Sequence, residues 1–189
     1  MRGLFQTLTL ALVGLCCTRP GSAQFNQIVP PPIPPSDTTV PMGARLEIQV
    51  IGQGVQIYNC VVKNSVHVWS FVAPDARLLD PKTRAVLGLH GAGPVWVWSD
   101  GSTVSGKVVR PQDSTEAGSV PWLLLRASPF GDKKGMLTPI VWVRRSETHG
   151  GAAPPAQSCR VDNEGKQTRM PYSALYTFYS VGSTTLNAP

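Results

Sequence analysis

Apolar residues in this chain recur at every second position, the period of a strand with one face buried. Leu46, Ile48 and Val50 alternate with Arg45, Glu47 and Gln49. Gly52-Gln53-Gly54 reads as a turn into the run Val55 to Val62, and Asn64-Ser65 as a turn into Val66 to Ala73, which Pro74 closes. Val86 to His90 is a short run that Gly91-Ala92-Gly93-Pro94 breaks. Trp122 to Ala127 and Ile140 to Arg144 are continuous apolar runs bounded by proline or glycine, the pattern of strands covered on both faces. Tyr172 to Tyr179, aromatic and β-branched, reads as the last strand. The best helical candidate, Asp75 to Val86, carries Pro81 in its middle, which would cost a helix about 3 kcal/mol.

The sharpest local signal is Asp100-Gly101 between two alternating runs, the composition of a two-residue type I′ hairpin loop. That loop predicts Ser99 opposite Ser102, Val97 opposite Val104 and Trp96 opposite Ser105. Val95, Val97, Val104 and Val108 would then face the core. Trp96, Trp98, Thr103, Ser105 and Lys107 would form a second face, half-covered or open to a ligand. Eight or so short strands joined by turns, without a helical crossover, predict an all-β antiparallel fold, barrel-like or a sandwich, with no long helices. The succession of hairpins favours barrel-like closure.

The ends of the chain read differently. Arg2, an apolar run from Leu4 to Cys17, the breaker pair Pro20-Gly21 and then Ser22-Ala23 follow the order of a secretory signal with cleavage after Ala23. The run falls short of the ~18 to 20 residues that span a bilayer, and neither Cys16 nor Cys17 has the small residues before it that a lipid-bearing cysteine expects. Residues 24–42 form a proline-rich extended arm, 43–182 a single β domain, and 183–189 a tail expected to fray.

Losing Arg2 and Arg19 would bring the formal net charge from +6 to +4. The adjacent basic pairs, Lys133-Lys134 and Arg144-Arg145, lie outside any long basic run, so no nucleic-acid partner is expected. No transmembrane segment is expected after cleavage, and the oligomeric state is not legible. Cys60 and Cys159 would remain in a chain bound for an oxidising compartment, secreted or periplasmic, and two cysteines allow one intramolecular disulfide. Their spacing and the lack of a histidine cluster argue against zinc, and no metal site is expected.

The residues also resemble a known family. Gln56-Ile57-Tyr58 with Cys60, then Trp69-x-Phe71-x-x-Pro74-x-Ala76-x-Leu78, then Gly88-x-His90-x-x-Gly93-Pro94-x-Trp96 stand in its order. Asp100-Gly101-Ser102-x-Val104-x-Gly106, Trp122-Leu123-Leu124, Val143-x-Arg145-x-x-Thr148-x-Gly150-Gly151, Pro154, Cys159 and Tyr172-x-Ala174-x-Tyr176-x-Phe178-Tyr179 complete the pattern. Over roughly residues 50 to 180 the chain resembles a secreted family catalogued as domain of unknown function 3455. The resemblance implies export, bacterial and fungal relatives, and no assigned activity or cofactor. Where that family tends to place a glycine turn, Lys82-Thr83-Arg84 stands here.

Candidate chemistry is sparse. Of three histidines, His67 shares a strand face with Trp69 and Phe71, and His149 precedes Gly150-Gly151 and reads as a solvated loop residue. His90 is the one of interest, because Gly91 and Gly93 permit close backbone approach and Trp96 follows. There is no Gly-x-Ser-x-Gly and no His-Glu-x-x-His, and Gly52-Gln53-Gly54 lacks the third glycine, helix and acid of a dinucleotide loop, so no cofactor is expected. The remaining feature is the aromatic face. Trp96 and Trp98 with His90, Ser105 and Lys107 could hold a small apolar or carbohydrate ligand, the expectation for a non-catalytic binding or surface module. The alternatives are packing of both rings under other segments, an enzyme of unrecognised, hydrolase-like type using His90, and a purely structural role.

Overall fold

The computed structural model describes residues 38–181. The expected signal 1–23, most of the expected arm 24–42 and the expected tail 183–189 lie outside the described residues. The strands are β1 (Ala44–Lys63), β2 (Val66–Leu79), β3 (Val86–Gly91), β4 (Val95–Trp98), β5 (Thr103–Gln112), β6 (Trp122–Pro129), β7 (Trp142–Gly150) and β8 (Gln167–Val181). Each pairs antiparallel with the next, and β8 pairs with β1, so the sheet closes as an eight-stranded up-and-down barrel. The only helical pieces among the described residues are two 3-10 turns, Ala156–Ser158 and Val161–Asn163. The expected all-β antiparallel class and barrel closure are what is observed.

The strand expected from Ile140 begins only at Trp142, and three further local expectations need correction. Gly52-Gln53-Gly54 is not a turn: β1 runs through it for 20 residues. Both glycines serve close approach, since a Cβ on Gly52 would stand 2.4 Å from Cε2 of Tyr176, and one on Gly54 would stand 2.1 Å from the Asp75 carbonyl oxygen. Pro74 does not end its strand either, and β2 continues to Leu79. β3 pairs with β2 only from Ala76 to Leu79, so Pro74, which faces Gln56 of β1, costs no ladder hydrogen bond on the β3 side. With β8, these make long strands rather than short ones.

The third correction decides where the core lies. Val97 faces Thr103, Trp96 faces Val104 and Val95 faces Ser105. The hairpin therefore has a three-residue loop, Ser99-Asp100-Gly101, in which the Gly101 amide donates to the Trp98 carbonyl and Gly101 takes φ +83°. This is the turn followed by a left-handed residue that three-residue hairpins adopt. A one-residue change of register moves a whole strand face. Trp96 and Val104 both point inward, whereas Val97 and Ser105 lie outside.

Elsewhere the turn chemistry is as read. Asn64 and Ser65 both take positive φ between the paired Lys63 and Val66. In the turn before β3, Asp80 accepts hydrogen bonds from the amides of Lys82 (2.9 Å) and Thr83 (2.7 Å). Arg84 adopts φ +64° where the family resemblance expects glycine.

From Ile48 to Cys60 the even-numbered positions of β1 point inward, and Ile48, Val50, Gln56, Tyr58 and Cys60 are buried. Ala76, Leu78, Trp96, Val104, Leu125, Ala127, Val143, Tyr176 and Phe178 complete the filled interior. Large rings sit over glycines: Tyr176 over Gly52, and Trp96 over Gly106, where a Cβ would stand 2.8 Å from the indole. Alternating large and small residues in this way lets a narrow barrel fill without voids.

In a meander, alternate loops lie at opposite ends. The β6–β7 connection plugs one end with Leu137 and Ile140, both wholly buried. Asp100 braces that plug. Its Oδ1 accepts from the Ser102 amide and hydroxyl, its Oδ2 accepts from the Met136 amide at 2.7 Å, and Ser102 Oγ accepts from the Leu137 amide at 3.0 Å. The Ser102 hydroxyl bond, with the amides of Met136 and Ser102, holds the Asp100 carboxyl below the usual carboxylate range.

Candidate functional site

The opposite end is hollow. There the β5–β6 and β7–β8 loops are stitched together, with the Val120 amide donating to the Gly150 carbonyl (2.9 Å) and the Ala152 amide to the Gly118 carbonyl (3.2 Å). Cys60 of β1 and Cys159 of the β7–β8 loop form a disulfide with their Cα atoms 5.4 Å apart, the pairing expected from the cysteine count. Tyr58 donates its hydroxyl to the Gly151 carbonyl at 2.7 Å and so pins the same loop.

Between these loops lies a cup of about 460 Å³. Phe71, Val72 and Pro74 of β2, Pro94 and Val108 supply one apolar side, and Val120 and Leu123 the other. Its polar groups are Gln56, Tyr58, His90 and Arg145. Strand register explains why they gather. Arg145 stands opposite Leu123 on one side and Tyr176 on the other, and directly opposed residues share a sheet face, so all three point inward. Gln56 follows Gly52 and Gly54 in the inward phase of β1.

Beneath the cup is a packed aromatic cluster. The imidazole of His90 stacks on Trp96, centroids 4.7 Å apart and planes 3° apart. Tyr176 meets His90 edge-on at 5.1 Å, and Phe178 meets Trp96 edge-on at 6.0 Å. His90 Nδ1 lies 2.9 Å from the Val95 carbonyl oxygen, which fixes Nδ1 as the protonated nitrogen donating to it. Burial pushes the His90 imidazole down to about 4, against the pull of that hydrogen bond, and the Arg145 charge adds to the lowering. His90 is therefore neutral near pH 7.

Tyr172, whose hydroxyl lies 3.4 Å from that of Tyr176, is pushed up by burial and then by Tyr176, and Arg145 and a Gln56 hydrogen bond oppose the shift. Burial raises Tyr58 as well, again opposed by Arg145. Gln56 Nε2 is buried and makes no hydrogen bond of ordinary geometry among the described residues, although the Gln56 side chain reaches toward the Tyr172 hydroxyl. A buried donor left unpaired costs about 1–3 kcal/mol.

Of the five residues picked out as a ligand face, the barrel splits the set. His90 lines the cup, Trp96 lies packed beneath it, and Trp98 is half-buried against the core. Ser105 and Lys107 are on the outside of the sheet, because the register differs by one residue. The tryptophan face expected to be half-covered or open is thus core at Trp96. His67 and His149 lie at the surface beside carboxylates, with His67 Nε2 3.2 Å from Glu164 and His149 Nδ1 2.5 Å from Glu116. Gln56, Tyr58, Phe71 and Arg145 stand in the family pattern but carry no ligand-site expectation in the sequence. The signal for Arg145 is its place two residues after Val143, which alternation puts on the same strand face.

Other depressions lie on the outer wall. One of about 660 Å³ runs across β1, β2 and β3 between Arg84 and Arg169, an exposed trough where Gln53 accepts from Arg84 and Asp75 pairs with Arg169. The cup is the better candidate, because it is walled by apolar side chains and holds polar groups with unmet capacity. Among the described residues no three His, Cys, Asp or Glu side chains gather as metal ligands. No curated protein and no solved structure matches the chain. A family model described as "Protein of unknown function (DUF3455)" matches residues 41–180, the whole barrel save its last strand residue, and the chain belongs to that family.

Proposed function

We propose that this protein is an exported, non-catalytic binding module that takes one small, largely apolar ligand into the mouth of its barrel. The cup of about 460 Å³ carries this reading. An apolar wall with a few convergent polar groups is the usual make-up of a small-molecule site. Eight strands also suit a barrel that holds one small ligand. Catalysis has less support. His90 is neutral, stacked and tied to a main-chain carbonyl, and no carboxylate of the described residues lines the cup to complete a relay with it. Export draws support from the disulfide, which persists in oxidising compartments, and from the signal-like residues 1–23.

The experiment uses protein recovered outside the cytoplasm after expression with its own N-terminus. Its intact mass should begin at Gln24, and a mass retaining residues 1–23 would remove export from the reading. Nile red should bind it saturably, one per chain, with blue-shifted emission. Val72→Asp on the rim should abolish that binding, while Val97→Asp on the outer wall should leave it unchanged. No binding, or equal binding by both variants, would dismiss the cup as the site.

A further inference from the structure

We infer that the ligand is a small amphipathic acid, its carboxylate held by Arg145 with Gln56 beside it and its apolar body against Phe71, Val72, Val108 and Leu123. This rests on the mouth of the barrel being the binding site.

Arg145 is an inward-facing cation, opposite Leu123 and Tyr176 and two residues after the buried Val143. Its Nε and Nη2 donate to one acceptor, the Pro121 carbonyl, at 3.0 and 2.7 Å. That bond fixes the guanidinium at the rim but leaves its charge uncompensated. A guanidinium carries five N–H groups, so donors remain for a second acceptor. Among the described residues no carboxylate lies within 4 Å of Arg145. The acids in ion pairs, Glu47, Asp75, Glu116 and Glu164, pair with Arg45, Arg169, His149 and His67 instead.

The charge acts on the interior, since it opposes the upward shifts of Tyr58 and Tyr172 and adds to the downward shift of His90. A half-buried cation without a counter-charge is costly unless something anionic joins it. Arginine's planar fork suits a carboxylate in particular. Gln56 is the second, independent observation. Its side chain reaches toward the Tyr172 hydroxyl, but its Nε2 makes no hydrogen bond of ordinary geometry among the described residues, and it is a neutral donor suited to an acceptor oxygen rather than to a cation. The cup's other polar groups, Tyr58 and His90, already donate to the Gly151 and Val95 carbonyls, and the rest of the wall is apolar. A polar body such as a sugar acid would leave its hydroxyls against Phe71, Val72, Pro94 and Leu123.

Three probes with one tail separate the head groups: octanoate, octan-1-ol and octylammonium, titrated calorimetrically at pH 7 into the protein. Octanoate should bind at least tenfold more tightly than octan-1-ol, and octylammonium more weakly than either. Arg145→Met should bring octanoate down to the level of octan-1-ol without changing the latter. Gln56→Met should weaken octanoate by a smaller factor. Arg126→Met, on the outer wall over Trp142, should leave the preference intact. Octanoate no tighter than octan-1-ol in the unmodified protein overturns the inference, and needs no variant to fold. If octan-1-ol or Nile red still binds in that case, the mouth remains a binding site. If nothing binds, both readings fall together.

Discussion

The two ends of the barrel are built on opposite plans. The plugged end is held by packing: Leu137 and Ile140 fill it, and the Asp100–Ser102 brace fixes the segment that carries them. At the hollow end Val120 packs on the core but no apolar segment fills the mouth, and its loops are held by a covalent bond, by the Tyr58–Gly151 contact and by main-chain hydrogen bonds between loops. A barrel that leaves room for a ligand gives up the burial that would otherwise order that end, so other bonds must order it.

Breaking the disulfide tests this contrast most severely. Closing a loop of ~100 residues is worth at most about 4.7 kcal/mol in the chain-entropy model. Reduction should lower the melting temperature while the far-ultraviolet β signal persists at 25 °C. Amide exchange should quicken in residues 151–166 and not in 130–141. Equal quickening at both ends would abolish the division between them.

Leu137→Ala attacks the other plan. It should cost about 2–5 kcal/mol in urea unfolding, because the plug is fully buried and cannot collapse onto the cavity. Phe71→Ala, on the rim and 54% exposed, should cost no more than about 0.5 kcal/mol while weakening ligand uptake. Comparable losses from the two would mean that the mouth is also held by packing.

The boundary between the two ends should be visible in acid. His90 titrates near 4 when folded and near its ordinary 6.5 when unfolded, so between those values the unfolded chain binds the extra proton. The stability that His90 confers is therefore complete above about pH 6.5 and is lost as pH falls toward 4, on the order of 3 kcal/mol in all. A His90→Phe variant, which cannot titrate, should show a flatter dependence over that window. An unchanged slope would place the acid sensitivity elsewhere.

Much of the architecture was legible because it rests on local chemistry. Alternation from Leu46 to Val50 marks a strand with one buried face, Asn64-Ser65 marks a tight turn, and two cysteines admit one pairing. What was not legible depends on contacts far along the chain. Gly52 looks like a turn until Tyr176 is seen to need its space. Asp100-Gly101 suits a two-residue or a three-residue loop. The brace that accompanies the longer one involves Met136 and Leu137, which hairpin composition cannot foresee. The cup was hidden for the same reason, since Gln56 and Arg145 are recognisable as inward-facing only once the register of β1, β7 and β8 is known.

The seam between β1 and β8 has a kinetic consequence. It runs from Ala44 opposite Val181 to Asn59 opposite Gln167, joining the first strand of the barrel to the last. None of its hydrogen bonds can exist before β8 is synthesised, so ring closure must come late, and a topology ruled by such distant partners folds slowly. Until closure the nascent sheet has two raw edges, and the long, half-apolar edge of β1 is open to pairing with other chains. Cys60 lies on that edge strand and Cys159 just ahead of its partner, so oxidation before closure would tether the two edges and shorten their search.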